Sequence, residues 1–391
     1  MLPSLLKATD GYDTTPVTPA SKTSAPGSAV SAPALQNPTG DGITVVWAVK
    51  GSCTGWVEYG ETDALGQTGY GSVDGIRPFD DKVLKVRLTG LKPGTTYFYR
   101  AVTCPVEISY DKPVPGTAIP GTTYQFKTLD PTATTTSFSI INDTHERQNT
   151  VTRLFSMIQA QPTDSMIWNG DIFNSITSEQ KIVEQVLNPI GRGVAYAANL
   201  PLIWARGNHE TFGTCARLLD KYCDVPNDRW YYTLRQGPVG FVVLDTGDCG
   251  APDSSRPLND YTPYFSVQEE WLRNAIEEPE FRDAPFRVAL LHIPIVWEDY
   301  DGGGLVCFYG KAKWHDLFVK AKIDLIISGH VHHPAWFAPG VETPYGQLTG
   351  GGQDWTIATL IRGKADQETM NISVCDIDGK ELFSHTFNRQ T

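Results

Sequence analysis

Several short apolar segments within residues 135–335 end in side chains that can bind metal ions or transfer protons. These segments end in IINDTH, IWNGD, ARGNHE, LLHIP and ISGHVHH. In chain order they supply Asp143, His145, Asp171, Asn208, His209, His292, His330, His332 and His333, which include six of the chain's eight histidines. Carboxylate, amide and imidazole ligands without thiolates suit zinc, manganese or iron. The pattern therefore indicates a transition-metal centre.

Each of these residues taken alone has a simpler explanation. An aspartate at a strand end commonly caps a helix or forms a turn, and an isolated His292 in an apolar segment fits a hydrogen-bonded core histidine. The three histidines of SGHVHH, residues 328–333, are harder to explain by packing, because both nitrogens of each ring need partners. The ordered occurrence of all five strand ends favours the metal centre.

The elements that must position these side chains are short buried strands. Segments such as FVVLDTGD and IDLIISGH alternate with helical patterns such as SVQEEWLRNAIEE. Strands that alternate with helices predict mostly parallel sheets, and such sheets bind ligands beyond the carboxyl ends of their strands. We therefore expect residues 131–391 to form a layered α/β domain, with two central mixed sheets flanked by helices.

The first third of the chain has a different pattern. Residues 1–35 are rich in Ser, Thr, Pro and Ala, so we expect an extended lead-in that does not fold by itself. Over residues 36–130, segments with a period of two, such as ITVVWAV and TTYFYRAV, alternate with turn residues. This part is predicted to be an all-β sandwich.

Composition excludes some classes of partner. The 391 residues carry a formal net charge of −12, and 40% of them are hydrophobic, which is typical of a soluble globular protein. An acidic surface does not favour nucleic acid or anionic membranes, and the chain has no apolar run of roughly 18 residues. We expect no stable nucleic-acid partner and no membrane span, while the oligomeric state stays open.

The seven cysteines include no CxxC pair. Cys53 with Cys104, and Cys215 with Cys223, are candidate disulfides, with free thiols as the equal alternative; a disulfide would indicate an oxidising compartment. The first residues, MLPSLLKATDGYD, lack the basic and apolar regions of a signal peptide. We expect a secreted or periplasmic protein from which a leader has been removed.

The blocks D-x-H, G-D, G-N-H-E, an isolated His and G-H-x-H, in this order over residues 135–335, resemble the calcineurin-like metallophosphoesterases. With a β-sandwich in front of them, the chain is most similar to the branch that contains the purple acid phosphatases. Their N-terminal module is fibronectin-like, and TGLKPGTTYFYRAV is similar to a hairpin of that module. The resemblance implies a metallophosphoesterase sandwich preceded by a fibronectin- or Ig-like domain.

The resemblance also implies two transition-metal ions per chain, divalent or trivalent zinc, manganese or iron. The first ion would be held by Asp143, His145, Asp171 and His332. The second would be held by Asp171, Asn208, His292 and His330, so that Asp171 bridges the two. The two histidines of GHVH would then serve different ions, which explains their alternate spacing. His333 has no counterpart in the pattern and is a candidate pocket or substrate contact.

Two positions depart from the purple acid phosphatases. Those enzymes replace the first histidine, whereas His145 is present here. They also add a tyrosine ligand three residues after the G-D aspartate, where this chain has Asn174. Asn174 is therefore a candidate substrate contact rather than a ligand.

The implied activity is hydrolysis of a small phosphorylated substrate, with a phosphomonoester favoured. A metal-bridging hydroxide would attack phosphorus, and His209 would protonate the leaving group, kept protonated by Glu210 or another carboxylate. Arg206 either contacts a phosphate oxygen or forms a structural ion pair, and the Gly-rich residues 296–310 are a candidate loop beside the pocket. The alternatives are a phosphodiesterase or nucleotidase with a narrow substrate, and a non-catalytic binding protein.

Overall fold

The structure, a computed structural model, describes residues 27–110, 112–248, 258–296 and 306–390. Most of the expected lead-in, and residues 297–305 of the candidate loop, lie outside the described residues. None of the described helices is long and apolar enough to cross a membrane. Within the described ranges, two β layers precede an α/β region.

The N-terminal part is all β. Its strands are β1 (Ser28–Ala29), β2 (Ala34–Gln36), β3 (Gly42–Lys50), β4 (Cys53–Gly60), β5 (Gln67–Gly69), β6 (Phe79–Asp80), β7 (Val83–Thr89), β8 (Thr96–Ser109), β9 (Lys112–Pro115), β10 (Ile119–Pro120) and β11 (Tyr124–Lys127). One layer contains β1, β2, β3 and β7, and the other contains β4, β5, β6 and β8 to β11. Trp47 joins the layers, because its Nε1–H donates to Thr103 Oγ1 at 2.9 Å. The predicted all-β region is confirmed, whereas its fibronectin-like identity stays a prediction.

The α/β region follows from residue 136. Its strands are β12 (Thr136–Ile141), β13 (Ser165–Asn169), β14 (Leu202–Ala205), β15 (Tyr232–Gln236), β16 (Val239–Leu244), β17 (Phe286–Leu291), β18 (Leu325–Ser328), β19 (Ala335–Phe337), β20 (Gly346–Thr349), β21 (Thr359–Ala365), β22 (Thr369–Asp376) and β23 (Glu381–Asn388). Its helices are α1 (Gln148–Ala160), α2 (Glu179–Ile182), α3 (Tyr261–Ala275), α4 (Pro279–Arg282) and α5 (Phe308–Lys320). A π-helical turn, Val183–Leu187, continues α2, and short 3-10 turns cover His209–Thr211, Ala216–Lys221 and Pro226–Asp228.

Two mixed sheets form the centre of this region. The first has the order β14-β13-β12-β21-β22-β23, and the second has the order β15-β16-β17-β18-β20-β19. Apolar side chains fill the space between them, as where the rings of Phe138 and Phe241 meet edge to face at 5.1 Å. On the outer faces, Phe155 of α1 contacts Trp168, and Phe265 of α3 contacts Trp314 of α5. The predicted layered α/β fold class is confirmed.

Parallel pairing brings the site-bearing strand ends together. β12, β13 and β14 are parallel neighbours, and so are β16, β17 and β18. Because parallel strands end at the same edge of a sheet, the residues that follow these strands collect on one side of the molecule.

The N-terminal layers and the α/β region share a strand. β2 pairs antiparallel with β3 and parallel with β14, through Gln36 opposite Leu202, so one continuous sheet runs through both parts. Tyr99 adds a hydrogen bond from its hydroxyl to Ala198 O at 2.7 Å. Residues 34–36 therefore form a paired strand of this sheet, while the division of the chain at residues 35 and 130 stays a prediction.

Asp224 is a polar link across this junction. Its Oδ2 accepts from Thr44 Oγ1 at 2.6 Å and from Asn37 Nδ2 at 2.8 Å, and its Oδ1 lies 3.1 Å from Lys85 Nζ. Burial alone would raise the pKa of Asp224, but Lys85 and the two donors outweigh burial and lower it below its ordinary value of 3.8. The folded junction therefore favours the ionised carboxylate.

Of the two alternatives left open for the cysteine pairs, the structure has the free thiols, at Cys53, Cys104, Cys215 and Cys223. Cys53 lies opposite Pro105 on the neighbouring strand, so Cys104 projects from the other face of the ladder. Cys215 and Cys223 flank the 3-10 turn Ala216–Lys221, which lies between the two thiols. Cys307 is disulfide-bonded instead.

We predict that Asp224→Asn removes the contribution of this carboxylate to the pH dependence of stability. Because the folded pKa is lowered, the stabilisation from Asp224 is fully present above pH 3.8 and is lost as pH falls through the folded pKa. The variant should therefore have a lower free energy of unfolding than the wild type at pH 7, and the difference should shrink toward pH 3. Urea unfolding at both pH values measures it, with the exposed Asp63→Asn as the control; a difference that is independent of pH would contradict the prediction.

Candidate metal centre and active site

The predicted ligand residues come together in two overlapping clusters. The first cluster contains Asp143, His145, Asp171 and His332, and the second contains Asp171, His292 and His330. Within each cluster, every residue offers one ligand atom, and these atoms lie within 4.8 Å of one another. Asn208 adjoins the second cluster, where its Oδ1 lies 3.0 Å from His330 Nδ1. The two clusters share Asp171.

Backbone carbonyls at the end of β13 and in the loop after it orient several of the histidine rings. The nitrogen–oxygen distances are 2.8 Å from His292 Nδ1 to Asn169 O, 3.1 Å from His145 Nδ1 to Phe173 O, and 2.8 Å from His209 Nδ1 to Asn174 O. A carbonyl oxygen can only accept, so each Nδ1 carries the proton. Each ring therefore has Nε2 free for a ligand or for proton transfer, as is usual for metal-binding histidines.

The electrostatics of the centre fit a bound cation. Asp143 and Asp171 are buried, and among the described residues their charged partners are histidines rather than lysine or arginine. Burial raises the pKa of Asp143 well above its usual value. Burial alone would lower the pKa of His292, yet Asp171 and Asp143 outweigh burial and raise it to about 10. A proton on His292 thus supplies positive charge that a metal ion would otherwise provide.

Two atomic arrangements in the first cluster also fit an ion. His145 Nε2 lies 3.0 Å from His332 Nε2, so the two nitrogens meet either through one proton on His332 or at a bound cation. The buried Asp143 Oδ2 has no hydrogen-bond partner. A cation between these atoms would satisfy the lone pairs together, so the residues present suit a transition metal with nitrogen and oxygen ligands.

The cluster residues adopt a left-handed backbone that most residues avoid. Positive φ angles occur at Asp143 (54°), His145 (42°), Asp171 (53°), His330 (71°) and His332 (52°). Non-glycine residues pay on the order of 1 kcal/mol or more for such a conformation, which persists where the surroundings impose it and commonly marks a functional site.

Two asparagines that the sequence analysis missed join the sheets beneath the clusters. Asn142 follows β12 and donates Nδ2–H to Ser328 O at 3.0 Å. Asn169 ends β13 and donates Nδ2–H to Leu291 O and Ile327 O, both at 3.3 Å. They fix the first sheet against the second, so that ligands from both sheets meet. The sequence does contain a signal for these two residues, because an asparagine precedes each aspartate by one or two positions, in IIND and WNGD.

Glu210 binds backbone N–H groups and is not the carboxylate that pairs with the His209 ring. Its carboxylate accepts backbone N–H groups from Gly207 at 2.8 Å, Asp171 at 2.9 Å and Ile172 at 2.7 Å. Glu210 therefore ties the G-N-H-E turn to the G-D loop. Among the residues that the structure describes, the carboxylate that pairs with His209 is Asp171, whose Oδ2 lies 3.9 Å from His209 Nε2.

The three candidate substrate contacts, Arg206, His333 and Asn174, differ in their exposure and in their partners. Arg206 forms an ion pair with Asp245, which favours the structural alternative; burial opposes its charge, but Asp245 raises its pKa. His333 is exposed. Asn174 is also exposed, and donates Nδ2–H to His145 O at 3.2 Å. Asp245, at the end of β16, was the member of the strand-end pattern that the sequence analysis left out.

Fold and site together define a class: a two-sheet α/β protein with a metal-binding centre at the carboxyl ends of its strands. A model of the calcineurin-like phosphoesterase family matches residues 136–334. The chain belongs to the calcineurin-like phosphoesterase family.

Individual relatives are distant. The chain is 24% identical to human serine/threonine-protein phosphatase CPPED1 over 177 residues, 42% of this chain and 52% of that protein. It is 24% identical to purple acid phosphatase 21 of Arabidopsis thaliana over 268 residues, 66% of this chain and 54% of that protein. The chain thus spans about half the length of the curated relatives it matches.

The solved structure of the purple acid phosphatase PPD1 from yellow lupin (Lupinus luteus) resembles the whole described fold. The TM-score is 0.68 at 17% identity, covering 92% of this chain and 74% of that one. The predicted resemblance to the calcineurin-like family and to its purple acid phosphatase branch is confirmed.

We predict that Asn169→Ala lowers the free energy of unfolding by about 1–3 kcal/mol, because it leaves buried carbonyls of β17 and β18 without their donor. Urea unfolding of chelator-treated protein measures this without a contribution from bound metal. The exposed Asn274→Ala on α3 is the matched control and should change stability by no more than about 0.5 kcal/mol. Equal effects of the two substitutions would contradict the role of Asn169.

Proposed function

We propose that this protein hydrolyses phosphate esters in a metal-dependent reaction, with phosphomonoesters favoured as substrates. The observation that carries the proposal is the pair of clusters that share Asp171, with His209 Nε2 directed toward the same carboxylate. The relatives named as phosphatases support the same chemistry. The expected partner is a small phosphorylated molecule.

The centre would hold two transition-metal ions, zinc, manganese or iron. We assign Asp143, His145, Asp171 and His332 to the first, and Asp171, Asn208, His292 and His330 to the second. Bound ions of this kind lower the pKa of water and neutralise charge on a phosphoryl group. Support comes from the unpartnered Asp143 Oδ2 and from the absence of thiol ligands in these clusters.

His209 is the proposed general acid. With Nδ1–H bonded to Asn174 O, the proton that the ring can give is the one on Nε2. Its half-buried position beside the clusters lets it reach an oxygen that leaves phosphorus. The exposed His333 is proposed as a contact for the rest of the substrate, whereas Arg206 is assigned to its ion pair with Asp245.

A secreted or periplasmic location is proposed as well. The disulfide at Cys307 supports it, because disulfides persist in oxidising compartments.

The deciding experiment compares initial rates on nitrophenyl phosphate and bis-nitrophenyl phosphate, using protein reconstituted separately with zinc, manganese and iron. A faster metal-dependent rate on the monoester supports the phosphomonoesterase. A faster rate on the diester would make the protein a phosphodiesterase. If neither ester turns over with any metal, the enzymatic proposal fails and a non-catalytic binding role takes its place.

The two-ion assignment predicts metal content. Wild-type protein should retain two ions per chain after dialysis, His332→Ala and His330→Ala should each retain one, and Asp171→Ala should retain none, because it removes the shared ligand. Mass spectrometry of the bound metal measures this. His385→Ala is the control, because the ring of His385 contacts Trp336 outside the clusters. A full metal content in Asp171→Ala would refute the assignment.

The general-acid assignment predicts a dependence on the leaving group. His209→Ala should lower kcat on an alkyl phosphate by roughly 10²–10⁴-fold, since the alkoxide needs a proton. The loss on nitrophenyl phosphate should be far smaller, because nitrophenolate leaves without one. Metal content should stay at the wild-type level, and His385→Ala again provides the control; an equal loss on both esters would remove His209 from proton transfer.

A further inference from the structure

The orientation of His209 depends on a backbone carbonyl in an exposed loop. His209 Nδ1 lies 2.8 Å from Asn174 O, and its ring stands edge to face against His145, with centroids 4.7 Å apart. Asn174 itself is exposed, so burial of its side chain does not fix this carbonyl. The groups that hold residue 174 therefore decide how His209 is presented.

Glu146 and Lys181 hold this loop in place. Glu146 Oε1 accepts the backbone N–H of Asn174 at 2.8 Å. Lys181 Nζ lies 3.0 and 3.2 Å from the two carboxylate oxygens of Glu146, and it also donates to Ser175 O at 3.2 Å. One ion pair thus fixes two successive residues of the loop.

The ion pair joins two well-anchored segments. Glu146 directly follows the candidate ligand His145, and its backbone N–H donates to Ile172 O at 2.8 Å. Lys181 lies in the first turn of α2, where its N–H donates to the N-cap Ser178 Oγ at 3.2 Å. The side chains of Glu146 and Lys181 are only 20% and 27% exposed, so water screens this pair less than a fully exposed one.

We infer that the Glu146–Lys181 ion pair is a positioning device for His209. It fixes the Asn174 carbonyl, which holds one proton on Nδ1, so that a ring protonated on both nitrogens gives its Nε2 proton to the leaving group and keeps the Nδ1 proton. Glu146 and Lys181 act only through His209 and do not touch the reacting atoms. The inference rests on the proposed function, because positioning affects a rate only if His209 transfers a proton.

The test compares Lys181→Met, Glu146→Gln and the double variant in metal-loaded full-length protein. The matched controls are Lys320→Met and Glu277→Gln, which break an exposed ion pair of 2.6 Å between α5 and the chain after α3. The measured quantities are kcat and KM on an alkyl phosphate and on nitrophenyl phosphate. Lys181→Arg, which keeps the charge, serves as the conservative variant.

We expect Lys181→Met to lower kcat on the alkyl phosphate by about tenfold or more, and kcat on nitrophenyl phosphate by less than about threefold, with KM unchanged. The double variant should lose no more than the single variants, because the pair acts as a unit. Lys181→Arg should recover most of the rate. Equal losses on both esters, or no loss on either, would overturn the inference.

A second measurement separates this inference from the proposed function. Nitrogen-15 NMR of the imidazole of His209 reports which ring nitrogen carries the proton, whether or not the protein turns over an ester. Lys181→Met should reduce the fraction with the proton on Nδ1, and Lys320→Met should leave that fraction unchanged. If wild-type protein hydrolyses neither ester, the proposed function fails while this measurement still decides the positioning; an unchanged tautomer in Lys181→Met overturns it.

Discussion

The burial of two carboxylates is the constraint on which the rest of the centre depends. Asp143 and Asp171 are almost completely removed from solvent, and a buried carboxylate without a compensating charge costs several kcal/mol. The described partners of both are histidines, which are neutral unless they take up a proton. Positive charge must therefore come from bound ions or from protons. This requirement explains why imidazoles from separate strand ends meet at one point, and why left-handed backbone is tolerated there.

The residues of the two clusters could be predicted from the sequence because each follows a buried strand within a few residues. Local order along the chain, together with parallel pairing, is enough to bring such residues to one edge. The supports of the centre were not accessible in this way. Asn142 and Asn169 meet partners 186 and 122 residues away, and Glu210 faces the backbone rather than the neighbouring histidine. These roles depend on how the two sheets and their loops align, which no local pattern contains.

The N-terminal part also shows what a local sequence pattern can and cannot predict. The period-two pattern predicted its β layers, because alternation of burial is a local property of a strand. The pattern did not reveal that β2 also pairs with β14, since a three-residue strand carries little signal and its partner belongs to a different region. The sequence left disulfide and free thiol equally open for the two cysteine pairs for a similar reason, because disulfide formation depends on side-chain direction and distance rather than on strand membership.

The strand shared by the two parts also determines how this chain can be divided. β14 is the last strand of the first α/β sheet, and β2 occupies its outer edge. A shortened protein that begins after the β layers would expose an unpaired row of backbone N–H and C=O groups along β14, and such a row invites pairing with strands of other molecules. The β layers thus protect the α/β region from self-association, and a version without them would need a charged, proline-bearing or otherwise blocked edge to stay monodisperse.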